Sequence, residues 1–190
     1  MIAPALVEAT VEVQAVLSAA GIRSCVIGGL AVQRWGEPRA TQDVDFSVLA
    51  PPGEEQRPLD LLLEAFTPRR ADARAFAIAN RVLLIQSTNK VAVDVGLAAS
   101  PFEVEVLDRS SAWDFADGLS IVTCSAEDLV LYKLVAGRAR DVADIEGIVR
   151  RQASVLDVER IRRFGVLFAE LKEEPDLLRS FERSLARAQE

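Results

Sequence analysis

Val26-Ile27-Gly28-Gly29-Leu30-Ala31-Val32 and, a few residues on, Thr41-Gln42-Asp43-Val44-Asp45-Phe46-Ser47-Val48-Leu49 decide how this chain is read. From Arg23 to Leu49 a β-type run enters a Gly-Gly turn, a short helix follows, and a second strand opens on two aspartates. Leu30, Ala31, Val32 and Trp35 carry the apolar spacing of a helix. Gly36 and Pro38 end it, because glycine favours the C-terminal cap and proline cannot continue the hydrogen-bond ladder. In a strand, residues two apart share a side, so Asp43 and Asp45 project together while Val44 and Phe46 take the packed face. Adjacent carboxylates repel unless a cation lies between them, and hard oxygen ligands suit Mg²⁺. The plain alternative is the solvated face of an edge strand. What favours a site is the pairing with Gly28 and Gly29, whose unobstructed amides open a helix N-terminus, where anions are favoured.

At these residues the chain resembles the nucleotidyltransferase superfamily related to DNA polymerase β. That pattern is Gly-Gly or Gly-Ser, a helix, Asp-x-Asp, and a third carboxylate on a later strand. Gly28-Gly29-Leu30-Ala31 and Arg39-Ala40-Thr41-Gln42-Asp43-Val44-Asp45-Phe46 look most like the branch holding the AbiEii-type toxins of type IV toxin–antitoxin systems and the MenT transferases. The resemblance covers roughly residues 20 to 150. Many superfamily members carry serine where this chain has Gly29; the change loses a hydroxyl contact and keeps the amide.

Composition narrows the chemistry. The chain of 190 residues is half apolar and 27% charged, as a globular protein is, and fits one domain or an α/β core with a helical appendage. It has no histidine, which removes Ser-His-Asp and Cys-His catalysis and histidine-bound zinc. Chemistry must then run on carboxylates, lysine, arginine and metal. The two cysteines, Cys25 and Cys124, sit among strand-forming residues and read as buried thiols. A net charge of −7 argues against grip on a long duplex but allows a short RNA end held by a local arginine cluster. No run approaches the roughly 20 apolar residues of a membrane span. Met1-Ile2-Ala3-Pro4 offers no basic leader region, so a cytoplasmic location is expected.

Along the chain, Pro4–Ala19 reads as an amphipathic helix stopped by Gly21, and Arg23–Gly28 as the first strand. Pro58 starts a helix through Phe66, broken by Thr67-Pro68-Arg69-Arg70; Asp72–Asn80 fits either a helix or a linker. Val82–Gln86 and Val91–Val95 flank Ser87-Thr88-Asn89-Lys90 as a hairpin. Asp94 interrupts the second strand, on the side opposite Val93 and Val95; such a carboxylate either meets a partner or sits at a site. Pro101–Arg109 permits helix or strand, and Leu119–Cys124 reads as a strand. Ser125 to Asp128 has a capping pattern opening a helix whose one charged member among packed positions is Lys133. Lysine there either snorkels or serves a ligand. Ala139–Arg151, Val158–Leu171 and Asp176–Ala188 read as helices, Asp157 capping the second. Arg150, Arg151, Arg160, Arg162 and Arg163 form a basic cluster, either paired to nearby acids or lining a groove for RNA phosphate.

The expected fold is α/β (α+β): a nucleotidyltransferase-like small mixed sheet flanked by helices, residues 1–124, with a C-terminal helical region, 125–190, completing the nucleotide site. The resemblance implies a Mg²⁺-dependent nucleotidyltransferase, with Mn²⁺ as the alternative ion, moving a nucleoside monophosphate from an NTP to a hydroxyl acceptor. Asp43, Asp45 and Asp94 would be the catalytic metal ligands, and Asp94 would also assist deprotonation of the acceptor. Gly28 and Gly29 would bind the β and γ phosphates, and Lys133 would be the helix lysine on the phosphates. Asp144 or Asp141 would be the acidic position on the next helix, with Arg138 and Arg140 as further phosphate contacts. The implied acceptor is tRNA or another RNA, in a toxin controlled by an antitoxin protein. Transfer to a small molecule, as in the aminoglycoside and lincosamide nucleotidyltransferases, is the rival, and Glu103, Glu105 and Asp108 leave it open. A non-catalytic nucleotide-binding or regulatory module is the third reading.

Overall fold

The facing of residues along the strands follows the apolar alternation read above. The computed structural model describes residues 3–115 and 118–188, so Met1 and Ile2 of the leader reading lie outside the described residues. The chain divides into two units, one running to Leu30 and again over Ala40–Cys124, the other comprising Ala31–Arg39 and everything from Ser125 on.

In the first unit, α1 (Pro4–Ala19) starts on proline, which loses nothing at a position whose amide has no helical acceptor. β1 (Ser24–Ile27) leads directly into α2 (Gly28–Trp35), and β2 (Asp43–Leu49) returns antiparallel to β1. After α3 (Gln56–Ala65) come the two-residue β3 (Thr67–Pro68), α4 (Ala73–Asn80) and the hairpin of β4 (Val82–Gln86) and β5 (Ala92–Ala98). α5 (Pro101–Asp108), β6 (Ser111–Asp114) and β7 (Ser120–Thr123) complete the unit. The open choices at Asp72–Asn80 and Pro101–Arg109 both resolve to helix. The second is opened by a capping box, with Ser100 accepting from the Glu103 amide. β3 and β6 escape sequence reading: one is two residues long and contains proline, the other is mostly exposed.

The described residues form one seven-stranded mixed sheet in the order β3-β4-β5-β2-β1-β7-β6. β2 runs parallel to β5, and β1 parallel to β7; the other neighbours are antiparallel. One face is apolar. Val26, Val44, Phe46, Val48, Leu83, Ile85, Val93 and Val95 are buried there, in one cluster with Leu6, Val13 and Leu17 of α1 and Leu59 and Leu62 of α3. Each such side chain, fully buried, contributes about 1.5–3 kcal/mol. The opposite face carries Asp43, Asp45 and Asp94.

The second unit is helical: α6 (Ala126–Ala136), α7 (Ala139–Gln152), α8 (Val158–Lys172) and α9 (Arg179–Ala188). α6 packs on α7, α8 and α9, and α7 packs on α9. Ser125 caps α6 by accepting from the Asp128 amide at 3.2 Å, and Gly137, in the left-handed region, ends it. Asp157 caps α8 through the Arg160 amide at 3.0 Å. Both caps are where the sequence pattern puts them. No described helix is long and apolar enough to cross a membrane.

Candidate active site

Register gathers the carboxylates of the first unit. Ile27 of β1, Asp45 of β2, Asp94 of β5 and Leu84 of β4 form one lateral row, since each is paired with the next. Paired residues point to the same side, so Asp45 and Asp94 are cross-strand neighbours, and Asp43 lies two residues along on that face. Half-buried Asp43, Asp45 and Asp94 alternate with fully buried Val44, Phe46, Val93 and Val95.

Gly28 and Gly29 are present for a reason the sequence did not disclose. Gly28 has φ +62°, and a Cβ there would lie 1.9 Å from Oδ2 of Asp45. A Cβ on Gly29 would lie 2.5 Å from Oγ1 of Thr41. The turn is wrapped around a carboxylate, and the Gly29 amide donates to Asp45 Oδ2 at 3.4 Å. A carboxylate at a helix N-terminus is electrostatically favoured. Thr41, which drew no attention in the sequence, donates its hydroxyl to Oδ1 of Asp43 at 3.0 Å. Asp94 accepts from Nη1 of Arg69 at 2.7 Å.

All donors on this face are hard oxygens, the set that suits Mg²⁺ or Mn²⁺. The place a Cβ on Gly28 would take is filled by the Asp45 carboxylate, which the turn thereby holds on this face. In residue type and facing, Asp43, Asp45 and Asp94 fit a divalent cation. Among the described residues, however, no three acidic or thiol side chains stand grouped as a metal cluster, and Asp94 is engaged with Arg69.

The other expected site residues lie in the second unit. Lys133 neither snorkels nor stands open: its side chain is 5% exposed and its Nζ meets Asp141 Oδ1 at 3.0 Å and Asp144 Oδ2 at 2.9 Å. Asp144 also accepts two bonds from Arg39, from Nε at 2.6 Å and Nη2 at 2.9 Å. Asp141 receives Arg138 Nε at 2.7 Å. Burial works to raise the Asp141 carboxyl, but hydrogen bonds from Arg138 and Lys133 outweigh it and hold it below the usual carboxylate range. At Asp144, burial is opposed in the same way by Arg39 and Lys133, again with a lowered result. Arg140 is exposed at the start of α7. The arginine cluster largely resolves into pairs. Arg160 is buried against Asp128, Arg162 meets Glu182 and Glu159, Arg150 meets Glu37, and Arg151 donates to the Gly36 carbonyl.

Solved structures identify the architecture. An antigenic nucleotidyltransferase-like protein from Paracoccidioides brasiliensis matches with a TM-score of 0.50 at 14% identity, over 92% of this chain and 90% of that one. The antibiotic-resistance factor ANT(2'')-Ia matches with a TM-score of 0.55 at 15% identity, over 93% of this chain and 96% of that one. The fold is nucleotidyltransferase-like. No family model matches the chain, and no curated protein matches it by sequence. At these identities the likeness speaks for the fold.

Proposed function

We propose that the chain is a metal-dependent nucleotidyltransferase. The observation that carries this reading is the row of Asp45 and Asp94, with Asp43 on the same face and the Gly28–Gly29 turn closed over Asp45, in a nucleotidyltransferase-like fold. Asp43 and Asp45, with Asp94, would hold Mg²⁺ or Mn²⁺. When bound, the ion supplies charge neutralisation for the triphosphate and Lewis acidity toward the reacting oxygens. The Gly29 amide holds Asp45, and the Thr41 hydroxyl holds Asp43, in fixed orientation for that ligation. In the transfer, the acceptor hydroxyl forms a bond to the α-phosphorus, the bond to pyrophosphate breaks, and the hydroxyl proton leaves. Asp94, about one-third exposed on this face, is the carboxylate given the role of taking that proton.

In the second unit, Arg138 is more than half exposed but already bonded to Asp141, and Lys133, itself buried, would have to surrender a buried carboxylate to meet a phosphate. Lys133 and Asp144 are therefore given the role of ordering α6 and α7.

A small-molecule hydroxyl acceptor is favoured over RNA. The arginines that would line an RNA groove are largely committed to acids within their own unit, and the fold is shared with an antibiotic-resistance factor. An RNA acceptor, and with it a toxin role and an antitoxin partner, is the alternative. The test is transfer from each α-labelled NTP with Mg²⁺ or Mn²⁺, offered aminoglycosides in one arm and total tRNA in the other. The expected result is a labelled small-molecule product, lost at least 100-fold in Asp43→Asn and Asp45→Asn, as for removal of electrostatic stabilisation of about 3 kcal/mol. Labelled tRNA instead would move the acceptor to RNA. Failure of the folded protein to bind any NTP with metal would sink the enzyme reading.

A further inference from the structure

We propose that Arg69 occupies Asp94 as a built-in competitor of the divalent cation, leaving only when metal arrives; this rests on the metal reading of Asp43, Asp45 and Asp94 above. The short strand β3 places Arg69. Pro68 pairs with Ile85, and the Arg69 amide donates to the Leu84 carbonyl at 2.9 Å, extending the ladder by one residue. Arg69 thereby enters the row that runs through Leu84, Asp94 and Asp45. It lies two strands from Asp94, roughly 10 Å at the usual strand spacing, a span its long side chain crosses over Leu84. Nη1 reaches Oδ1 of Asp94 at 2.7 Å, a single contact rather than a two-pronged one.

Three features suit this pair to exchange. Both side chains are about one-third exposed, at 31% and 36%, so a hydrated ion can reach the carboxylate and the released guanidinium can return to water. Among the described residues, Asp94 is the one charged partner of Arg69, and Arg69 of Asp94. The arginine follows a two-residue edge strand, so its withdrawal disturbs little of the sheet. The neighbouring Arg70 cannot take its place: it holds Asp72 through two hydrogen bonds and lies over the Phe76 ring. With no cation bound, three carboxylates on one face repel, and the Arg69 charge relieves that repulsion.

Mn²⁺ affinity without nucleotide, read by electron paramagnetic resonance of the free ion, tests the proposal on wild type, Arg69→Gln, Arg70→Gln, Asp94→Asn and the double variant Arg69→Gln/Asp94→Asn. Arg69→Gln is expected to bind Mn²⁺ between about twofold and fivefold more tightly, the range an exposed ion pair supports. Arg70→Gln, which removes the same charge one residue away, is expected to change affinity by less than half that factor. Asp94→Asn is expected to bind more weakly, and Arg69→Gln to add nothing on that background. An unchanged or weakened affinity in a folded Arg69→Gln overturns the proposal while leaving the metal reading intact. So does an equal gain in Arg70→Gln, which would reduce the effect to long-range charge. Absence of Mn²⁺ binding in wild type and in Arg69→Gln alike overturns both.

Discussion

Gly28 carries the tightest constraint in the site. Alanine there would adopt a left-handed conformation costing about 1–2 kcal/mol, and its Cβ would meet Asp45 Oδ2 at 1.9 Å, so the carboxylate must move. Gly28→Ala is expected to lose about 2–3 kcal/mol, a fall in Tm of roughly 5–10 °C by circular dichroism. A melt within a degree of wild type would show that the turn relaxes freely. The glycines and the Asp-x-Asp pair were legible because spacing and residue type alone announce a turn, a helix start and a shared face. Their physical partner was not: the sequence suggested open amides awaiting phosphate, and the structure shows one amide already on a carboxylate. Thr41 and Arg69 were invisible for a related reason. Each acts through a neighbour that only folding supplies, Thr41 by the path from α2 into β2, and Arg69 by the register of a strand too short to leave a pattern.

α6 and α7 are tied by Lys133, Asp141 and Asp144, with Arg39 and Arg138 at the margins. Breaking a buried pair by removing one member leaves an uncompensated charge and costs about 3–5 kcal/mol. Asp144→Asn is therefore expected to melt well below wild type at pH 7. Folding depresses the titration of Asp141 and Asp144, so their contribution is complete above the unfolded carboxylate value, about 3.9. It fades as pH falls through the lower folded values. The gap in Tm between wild type and Asp144→Asn should accordingly close as pH drops below about 4; a constant gap down to pH 2 would rule the coupling out. Sequence reading found both helices and the Ser125 and Asp157 caps, because propensity and capping are local. It did not foresee the ion pairs of Lys133, because its partners sit eight and eleven residues on, across the turn at Gly137, where helical spacing no longer says who meets whom.

The two units are built on different cores. The first is held by an apolar sheet face under α1 and α3, the second by helices that bury charges among leucines and isoleucines. The mixed sheet and helical C-terminal region were legible from element order. The parallel pairing of β2 with β5 was not, because two helices and two strands intervene and apolar alternation does not encode neighbours. Nor was the membership of Ala31–Arg39 in the helical unit, where Arg39 ties this segment to Asp144 of α7. The burial of Lys133 has a chemical consequence as well. The chain holds three lysines, Lys90, Lys133 and Lys172, of which the first and last are exposed. An acylating reagent that consumes accessible amines should mark those two quickly and spare the third, whose amino group is enclosed and held between two carboxylates. Acylation of Lys133, counted peptide by peptide in a mass spectrometer, is thus a clock for the opening of the helical unit. It should run faster in Asp144→Asn than in wild type.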